Sequence, residues 1–372
     1  MTAAERPVKA EKIKAPLITI TKRDSLPLYR RILIRAAAIV AALLLCSVIT
    51  LIVTKSNPIE IYKTMFSGAF GNGIRIIRTV YEISVLLIIA VAITPAFKMK
   101  FWNTGAEGQV LIGGLTTAMV MLYLGGKVPD GLLIVVMAAA AIGAGVIWGV
   151  IPAFFKAYWK TNETLFTLMM NYVAIQLVEC FLKIADKTGS NVVGPTMLKN
   201  GWFPKFFGLD YMLDVVIIAV LTVLVYIYLR YSKHGYEISV VGESENTAKY
   251  IGINVKKVII RTMALSGALC GIAGLLIVGG ASHSISAETA GGRGFTAIMV
   301  SWLAKFNPLL MVFSSLLIVF LERGAGEVAT VFSLNKSFSD ILTGIILFFI
   351  IGCEFFINYK LHFRRQAKEE RV

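Results

Sequence analysis

Charge is scarce in this chain: only 16% of its 372 residues are Asp, Glu, Lys or Arg, against 57% hydrophobic. Histidine is rarer still, with His234, His283 and His362 scattered at loops and ends. The four cysteines (Cys46, Cys180, Cys270, Cys353) fall in or at the edges of apolar runs without C-x-x-C spacing. These scarcities argue against a metal site and a disulfide framework; the thiols read as small reduced hydrophobes. No G-x-x-x-x-G-K-[ST] is present to cradle nucleotide phosphates. No Ser/His/Asp or paired-carboxylate constellation stands among pocket residues either, so catalytic residues are expected to be none and the chain is not read as an enzyme.

What the chain has instead is long apolar runs, with a mean hydropathy of +0.75. A membrane-crossing helix needs roughly 20 mostly apolar residues. Ten stretches qualify as candidates, at about 33–53, 80–97, 106–125, 132–155, 164–184, 212–230, 258–280, 294–304, 308–322 and 339–357. The eighth is short and ends at Lys305, the pattern of a broken or re-entrant helix, so the expected number is eight to ten. The fold class is therefore all-α, a polytopic membrane protein. Residues 1–31 are expected to form a loose N-terminal arm, 32–358 a single transmembrane domain with a cytoplasmic loop at 231–257, and 359–372 a C-terminal tail.

The net charge of +15 is read by its position. With the N-terminus inside, 25 of the 37 Lys and Arg residues fall in cytoplasmic segments, above all 1–35, 230–261 and 360–371. That asymmetry follows the positive-inside rule and places both termini in the cytoplasm. It assigns the basic residues to a lipid surface, with no nucleic-acid partner. The first apolar run, preceded by a polar basic arm, reads as a signal anchor rather than a cleaved signal peptide.

Against this background one polar stretch stands out: Phe101-Trp102-Asn103-Thr104-Gly105-Ala106-Glu107-Gly108-Gln109. An ionisable side chain at bilayer depth costs about 2.5–3.5 kcal/mol even on insertion scales, which marks Glu107 as a functional candidate. Glycines 105 and 108 let the backbone leave helical geometry, tolerated in a membrane only where protein or a watery cavity receives the freed peptide groups. A second glycine-polar break lies at 290–296, and transporter sites form at such paired breaks.

Other segments carry local design. Pro58 to Ile77 reads as an interfacial helix and turn, and 125–131 as a tight outer turn. The long outer loop from Asp186 to Asp210 bears Trp202, Phe203, Phe206 and Phe207, suited to the headgroup level or to a delivery protein. In the loop 231–257, Ser244 caps a two-turn helix, Glu245 lies in its first turn, Lys249 in its last, and Gly252 supplies the left-handed end. Asn254 caps the span that follows. Gly145 and Gly149, and Gly267 and Gly271, form G-x-x-x-G steps for close helix approach.

Several of these stretches together resemble the bacterial ABC-importer permeases of the branched-chain amino acid and simple-sugar superfamily, and its nucleoside-type branch in particular. Asn103 to Gln109 is close to that family's N-I-G-A-E-G-Q. Asn162-Glu163 with Thr167 to Tyr172 is similar to its N-E-x-x-x-T-L-M-x-N-Y. The third block runs from Gly235-Tyr236 through Val241-Gly242-Glu243, Asn246, Ala248, Tyr250 and Gly252 to Val255, then Ala264 to Ala268 and Gly271 to Gly274. The fourth is Gly294 to Val300, ending at Pro308. The resemblance covers roughly residues 60–355. The chain departs from the pattern at Thr104, at Trp102 and at Ala304-Lys305, which bears on the substrate rather than on the class.

The resemblance implies a permease subunit of an ATP-binding-cassette importer in the bacterial cytoplasmic membrane, carrying a nucleoside. It implies a second permease subunit (homo- or heterodimer), a cytosolic ATPase holding ATP and Mg, and an extracytoplasmic binding protein or lipoprotein. This chain itself would carry no cofactor. Residues 244–252 match the family's coupling segment; Gly242, Glu243, Ser244, Glu245, Asn246, Ala248, Tyr250 and Gly252 are the candidate ATPase contacts. For the substrate pathway the candidates are Asn103, Glu107 and Gln109 as partners for hydroxyls or base edges, or else as ties between helices. Asn171 is the fourth, preferred over Gln176, which lies about 140° around the helix at 100° per residue. Trp102 and Phe295, with Phe101, are candidate stacking faces. Glu82, Glu179, Asp214, Glu322 and Asp340, near span ends, read as solvated or paired. Two other readings remain open: an ABC permease for a simple sugar or another small polar metabolite, and an ion-gradient-driven secondary transporter.

Overall fold

The computed structural model describes residues 18–23, 27–55, 57–185, 189–206 and 208–363. Most of the N-terminal arm, the last residues of the C-terminal tail and Phe207 lie outside these. Among the described residues thirteen helices follow one another: α1 (Leu28–Thr54), α2 (Pro58–Phe70), α3 (Gly73–Lys98), α4 (Ala106–Leu124), α5 (Asp130–Trp159), α6 (Glu163–Ala185) and α7 (Met212–Tyr231). Then come α8 (Lys233–Glu243), α9 (Glu245–Tyr250), α10 (Val255–Leu275) with a π-helical continuation over Leu276–Ser282, α11 (Arg293–Leu303), α12 (Pro308–Val331) and α13 (Lys336–Asn358). Among the described residues nine helices are long and apolar enough to cross a membrane: α1, α3 to α7, α10 with its continuation, α12 and α13. The fold is that of an all-α polytopic membrane protein.

The candidate span at 294–304 is α11, with only 11 residues. At 1.5 Å per residue it covers roughly half a bilayer. The chain reaches it through the non-helical stretch 283–292, whose last six residues are turns and bends.

The contacts divide the chain into two compact units. One holds residues up to Ile61 together with Ser337 onward. In it β1 (Ile18–Lys22) pairs antiparallel with β2 (Tyr359–Phe363). The expectation of a loose arm fails for these five residues: the alternating Ile-Thr-Ile-Thr of the arm finds a partner strand directly after α13. Arg35 is also ion-paired with Glu354.

The second unit, Tyr62–Lys336, carries the site. Its centre is α3, α4 and α10, mostly buried, while α5, α6 and α7 expose broad apolar faces. The G-x-x-x-G steps mesh as expected. A Cβ on Gly145 would overlap the Gly267 carbonyl, one on Gly267 the Gly145 carbonyl, and one on Gly271 the Ala141 carbonyl. At these positions no side chain fits between α5 and α10.

Two spans are longer than the apolar runs indicated. Asn72 caps α3 by accepting from Arg75 N (2.8 Å), so that helix starts seven residues before position 80. Arg75 pairs with Glu327 (2.7 Å) and Arg323 grips Glu82 through two bonds (2.7 and 2.8 Å). These pairs neutralise charges that depress local hydropathy and let α12 run on to Val331. Glu82 is thus paired, as expected of it.

Candidate substrate pathway and coupling surface

The polar stretch 99–109 begins where α3 ends. Met99 N bonds the Pro95 and Ala96 carbonyls, Lys100 takes a left-handed φ of 59°, and Phe101 N returns to the Ala96 carbonyl (3.0 Å). Residues 101–104 then run non-helically back into the bundle, and α4 starts behind Gly105 without a side-chain cap. Asn103 donates to Ser266 Oγ (3.2 Å), a residue 11 positions into α10 and so roughly 16 Å along that helix. The stretch is therefore inside the bundle and not at its edge.

Asn103, Thr104 and Glu107 of the stretch are each tied to a neighbouring element. Asn103 is fully buried; its Oδ1 accepts from Gly105 N (3.1 Å), and its amide faces that of Gln109 at 3.5 Å. Thr104 Oγ1 bonds the Thr164 carbonyl (3.0 Å) and meets the Thr167 hydroxyl (3.0 Å). From α6, Asn171 reaches across to α4: its Oδ1 accepts from Gly108 N (2.9 Å) and its Nδ2 donates to the Thr104 carbonyl (2.9 Å). One side chain thereby satisfies a free N–H at the start of α4 and the peptide ahead of it. Gln176 is exposed, so of the two amides on α6 it is Asn171 that faces inward.

Glu107 joins the two glycine-polar breaks. Its Oε1 accepts from Gly292 N and its Oε2 from Gly294 N, both at 2.7 Å. Those N–H groups open α11, and Gly292 holds the left-handed conformation (φ 75°) at the turn that leads into the helix. A carboxylate on the first N–H groups of a helix satisfies its orphan donors and faces the positive end of its dipole. Gly294 permits this closeness, since a Cβ there would overlap Glu107. Glu107 is accordingly sealed between α4 and α11 in this conformation, and with Asn103, Gln109 and Asn171 it forms a buried polar junction rather than an open cavity wall.

Trp102 and Phe295, by contrast, are open, each with about two fifths of its surface exposed. Trp102 packs edge-on against Phe97 (5.4 Å) and against Trp302 (5.6 Å). Phe295 and Trp302 lie seven residues apart on α11, two turns on one face. Trp102, Trp302 and Phe295 thus make an exposed aromatic strip on the helix whose start Glu107 caps. Phe101 is buried. Trp302 was not among the sequence candidates, though its i, i+7 spacing from Phe295 would have found it.

At the other end of α7, the loop expected at 231–257 contains a helix the sequence reading lacked. Ser232 caps α8 by accepting from Gly235 N (3.0 Å), and α8 packs back on the bundle with Gly242 against the Lys98 carbonyl. Arg261 of α10 donates to Glu237 at 2.8 Å and holds that carboxylate below its ordinary range. The short helix follows as expected: Ser244 accepts from Thr247 N (3.2 Å), α9 spans Glu245–Tyr250, and Gly252 is left-handed (φ 85°). Asn254 caps α10 on Lys257 N (3.1 Å).

The candidate coupling residues separate into two groups. Gly242 and Ala248 are buried, packing α8 and α9 onto the permease itself. Glu243, Glu245, Asn246 and Gly252 are exposed, and Ser244 half-buried. Tyr250 is almost wholly exposed (91%), with Ile251 beside it. An aromatic side chain held this far out on a rigidly capped helix has a surface to offer a protein partner.

Residues 75–351 match the family described as branched-chain amino acid transport system / permease component. The chain belongs to that permease family. It is similar to the glucose ABC transporter permease protein of Haloferax volcanii, 24% identical over 84% of this chain and 85% of the relative. It is also similar to the guanosine ABC transporter permease protein of Bacillus subtilis (27%, over 78% and 84%). A nucleoside ABC transporter permease protein of Lactococcus lactis subsp. cremoris is 26% identical over 86% and 91%. The relatives are transport subunits rather than enzymes, and the chain is a multi-pass permease of the cytoplasmic membrane.

Proposed function

We propose that this permease carries a nucleoside inward as part of an ABC importer, with its route along the exposed strip Trp102–Trp302–Phe295. Two of the three relatives named above are named for nucleosides, and an open aromatic face is what a base ring would stack on. In this reading a second permease subunit covers the strip and completes the route. Asn103, Glu107, Gln109 and Asn171 act behind it as positioning residues. The observation that carries the reading is the Glu107 carboxylate on Gly292 and Gly294 N–H, because it fixes α11 and hence the strip to the break in α4.

Energy comes from a cytosolic ATPase that holds ATP and Mg, docked on the Tyr250–Ile251 edge of α9. That assignment puts α8 and α9 in the cytoplasm, with both termini. An extracytoplasmic binding protein or lipoprotein delivers substrate to the opposite face, where the aromatic loop around Trp202 lies.

The similarity to a glucose permease supports a second reading, a simple sugar as substrate. Uptake of labelled guanosine, uridine, adenosine, ribose and glucose into cells expressing the chain with its partner subunits separates the two. Nucleoside uptake abolished by Tyr250→Ala is expected; sugar uptake without nucleoside uptake refutes the nucleoside assignment. Uptake that persists without any ATPase refutes the coupling and favours an ion gradient.

A further inference from the structure

Two spans end side by side next to α9. The span α5 closes on Tyr158 and Trp159, and α10 opens on Val255-Lys256-Lys257 behind its Asn254 cap. Between them is an open cavity of about 350 Å³ lined by Tyr158, Asn254, Lys256, Lys257, Ile260 and Arg261. Its charge is nearly all positive. Arg261 is engaged with Glu237, while Lys256 and Lys257 have no carboxylate within ion-pair reach among the described residues.

Lys256 is held in place by something other than a carboxylate. Its Nζ stands 4.3 Å from the centre of the Tyr158 ring. A cation–π contact fixes the ammonium yet leaves N–H donors pointing away from the ring for another acceptor. The positive end of the α10 dipole adds to the same field. Everything about the cavity favours an oxyanion.

The neighbouring surface says which kind. Phe154, Phe155, Tyr158 and Trp159 are exposed and pack on one another, with Phe154 4.7 Å from Tyr158 and Phe155 5.2 Å from Trp159. Such a collar marks the headgroup level of a membrane protein. From it an apolar groove of about 340 Å³ runs up α5 along Val146, Ile147, Val150, Ile151, Phe154 and Phe155. A basic pocket at the membrane boundary, continuous through aromatic rings with an apolar furrow, has the shape of one amphiphile.

We propose that this corner of α5 and α10 binds an anionic phospholipid, its phosphate between Lys256 and Lys257 and an acyl chain in the furrow. It lies on the side of the membrane assigned above to the ATPase, where the leaflet is negatively charged. The lipid would brace the start of α10 next to α9.

The purified full-length chain in mild detergent is titrated with phosphatidylglycerol or phosphatidylcholine, and bound lipid is counted by native mass spectrometry. Phosphatidylglycerol is expected to bind, and K256Q/K257Q to weaken it roughly thirtyfold, since each lysine near an anionic lipid surface contributes about a fivefold factor. Lys127→Gln, at the far end of α5, is expected to change nothing. If the double variant is not recovered from membranes, Lys257→Gln alone decides, with about a fivefold loss expected. Equal binding by wild type and variant, or equal binding of the two lipids, overturns the proposal. Displacement of the lipid by millimolar inorganic phosphate alone overturns it too, by assigning the pocket to a soluble anion.

Discussion

Two helix contacts in the same bundle are built from opposite materials. Between α5 and α10 the backbones touch through glycines, with carbonyls standing where a Cβ would otherwise be. Between α4 and α11 a single carboxylate spans the gap and binds two peptide N–H groups. The first contact has no donor or acceptor to exchange, so it has one arrangement. The second consists of hydrogen-bonding groups, so it holds only as long as that one side chain is there. The permease thus joins one pair of helices through bare backbone and another through a single carboxylate, and Phe295 and Trp302 of the exposed aromatic strip are on the second.

Breaking the fixed contact should cost most. Gly267→Leu places a side chain against the Gly145 carbonyl, and overpacking of this kind costs about 3 kcal/mol where the backbones cannot part. The amount of folded chain recovered from membranes is expected to fall sharply. Glu107→Ala should follow: it leaves the buried Gly294 N–H unpaired at about 1–3 kcal/mol and the exposed Gly292 N–H to water. Glu107→Gln restores one acceptor and should recover part of the melting temperature but little transport. Equal transport by Glu107→Gln and wild type would show that the charge on the α11 dipole is dispensable.

Tyr250→Ala sharpens the comparison from outside the bundle. Exposed and without a contact to lose, it should change stability by no more than about 0.5 kcal/mol while abolishing ATP-driven uptake. The smallest effect concerns α8. Arg261 holds Glu237 below its ordinary value of 4.5, so the pair stabilises the fold above that value, and the contribution is lost as pH falls through the depressed one. Acid should therefore loosen α8 at its α10 contact, seen as faster amide exchange over 233–243. Glu237→Gln should remove that pH dependence and leave the glycine contact unaltered.

Much of this was legible in the sequence. The G-x-x-x-G steps, the Ser244 cap with Gly252, and the paired glycine-polar breaks each depend on residues close together in the chain. A glycine can sit where no side chain fits whatever its partner is called. The tie that explains Glu107 was not legible, because its acceptors' partners lie 185 and 187 residues further on. The helix α8 stayed hidden for a related reason: glycines such as Gly235 and Gly242 weaken a helical pattern, yet each is small because a backbone carbonyl lies against it, that of Leu229 and that of Lys98. The long ends of α3 and α12 were missed because their charges are cancelled by partners on other helices. Burial also divided the site candidates in a way that composition could not, with four behind the surface and two on it.

The central claim is that the strip beside the Glu107 junction faces a watery route and not lipid. Phe295→Cys in a Cys180→Ser background tests it most directly, since Cys180 is exposed and the other three thiols are buried. The rate at which a charged, water-soluble thiol reagent labels position 295 in the assembled transporter is measured with and without nucleoside. Labelling that stops uptake and is slowed by nucleoside is the predicted result. A thiol that reacts only with a membrane-soluble maleimide, at a rate indifferent to nucleoside, would contradict the account.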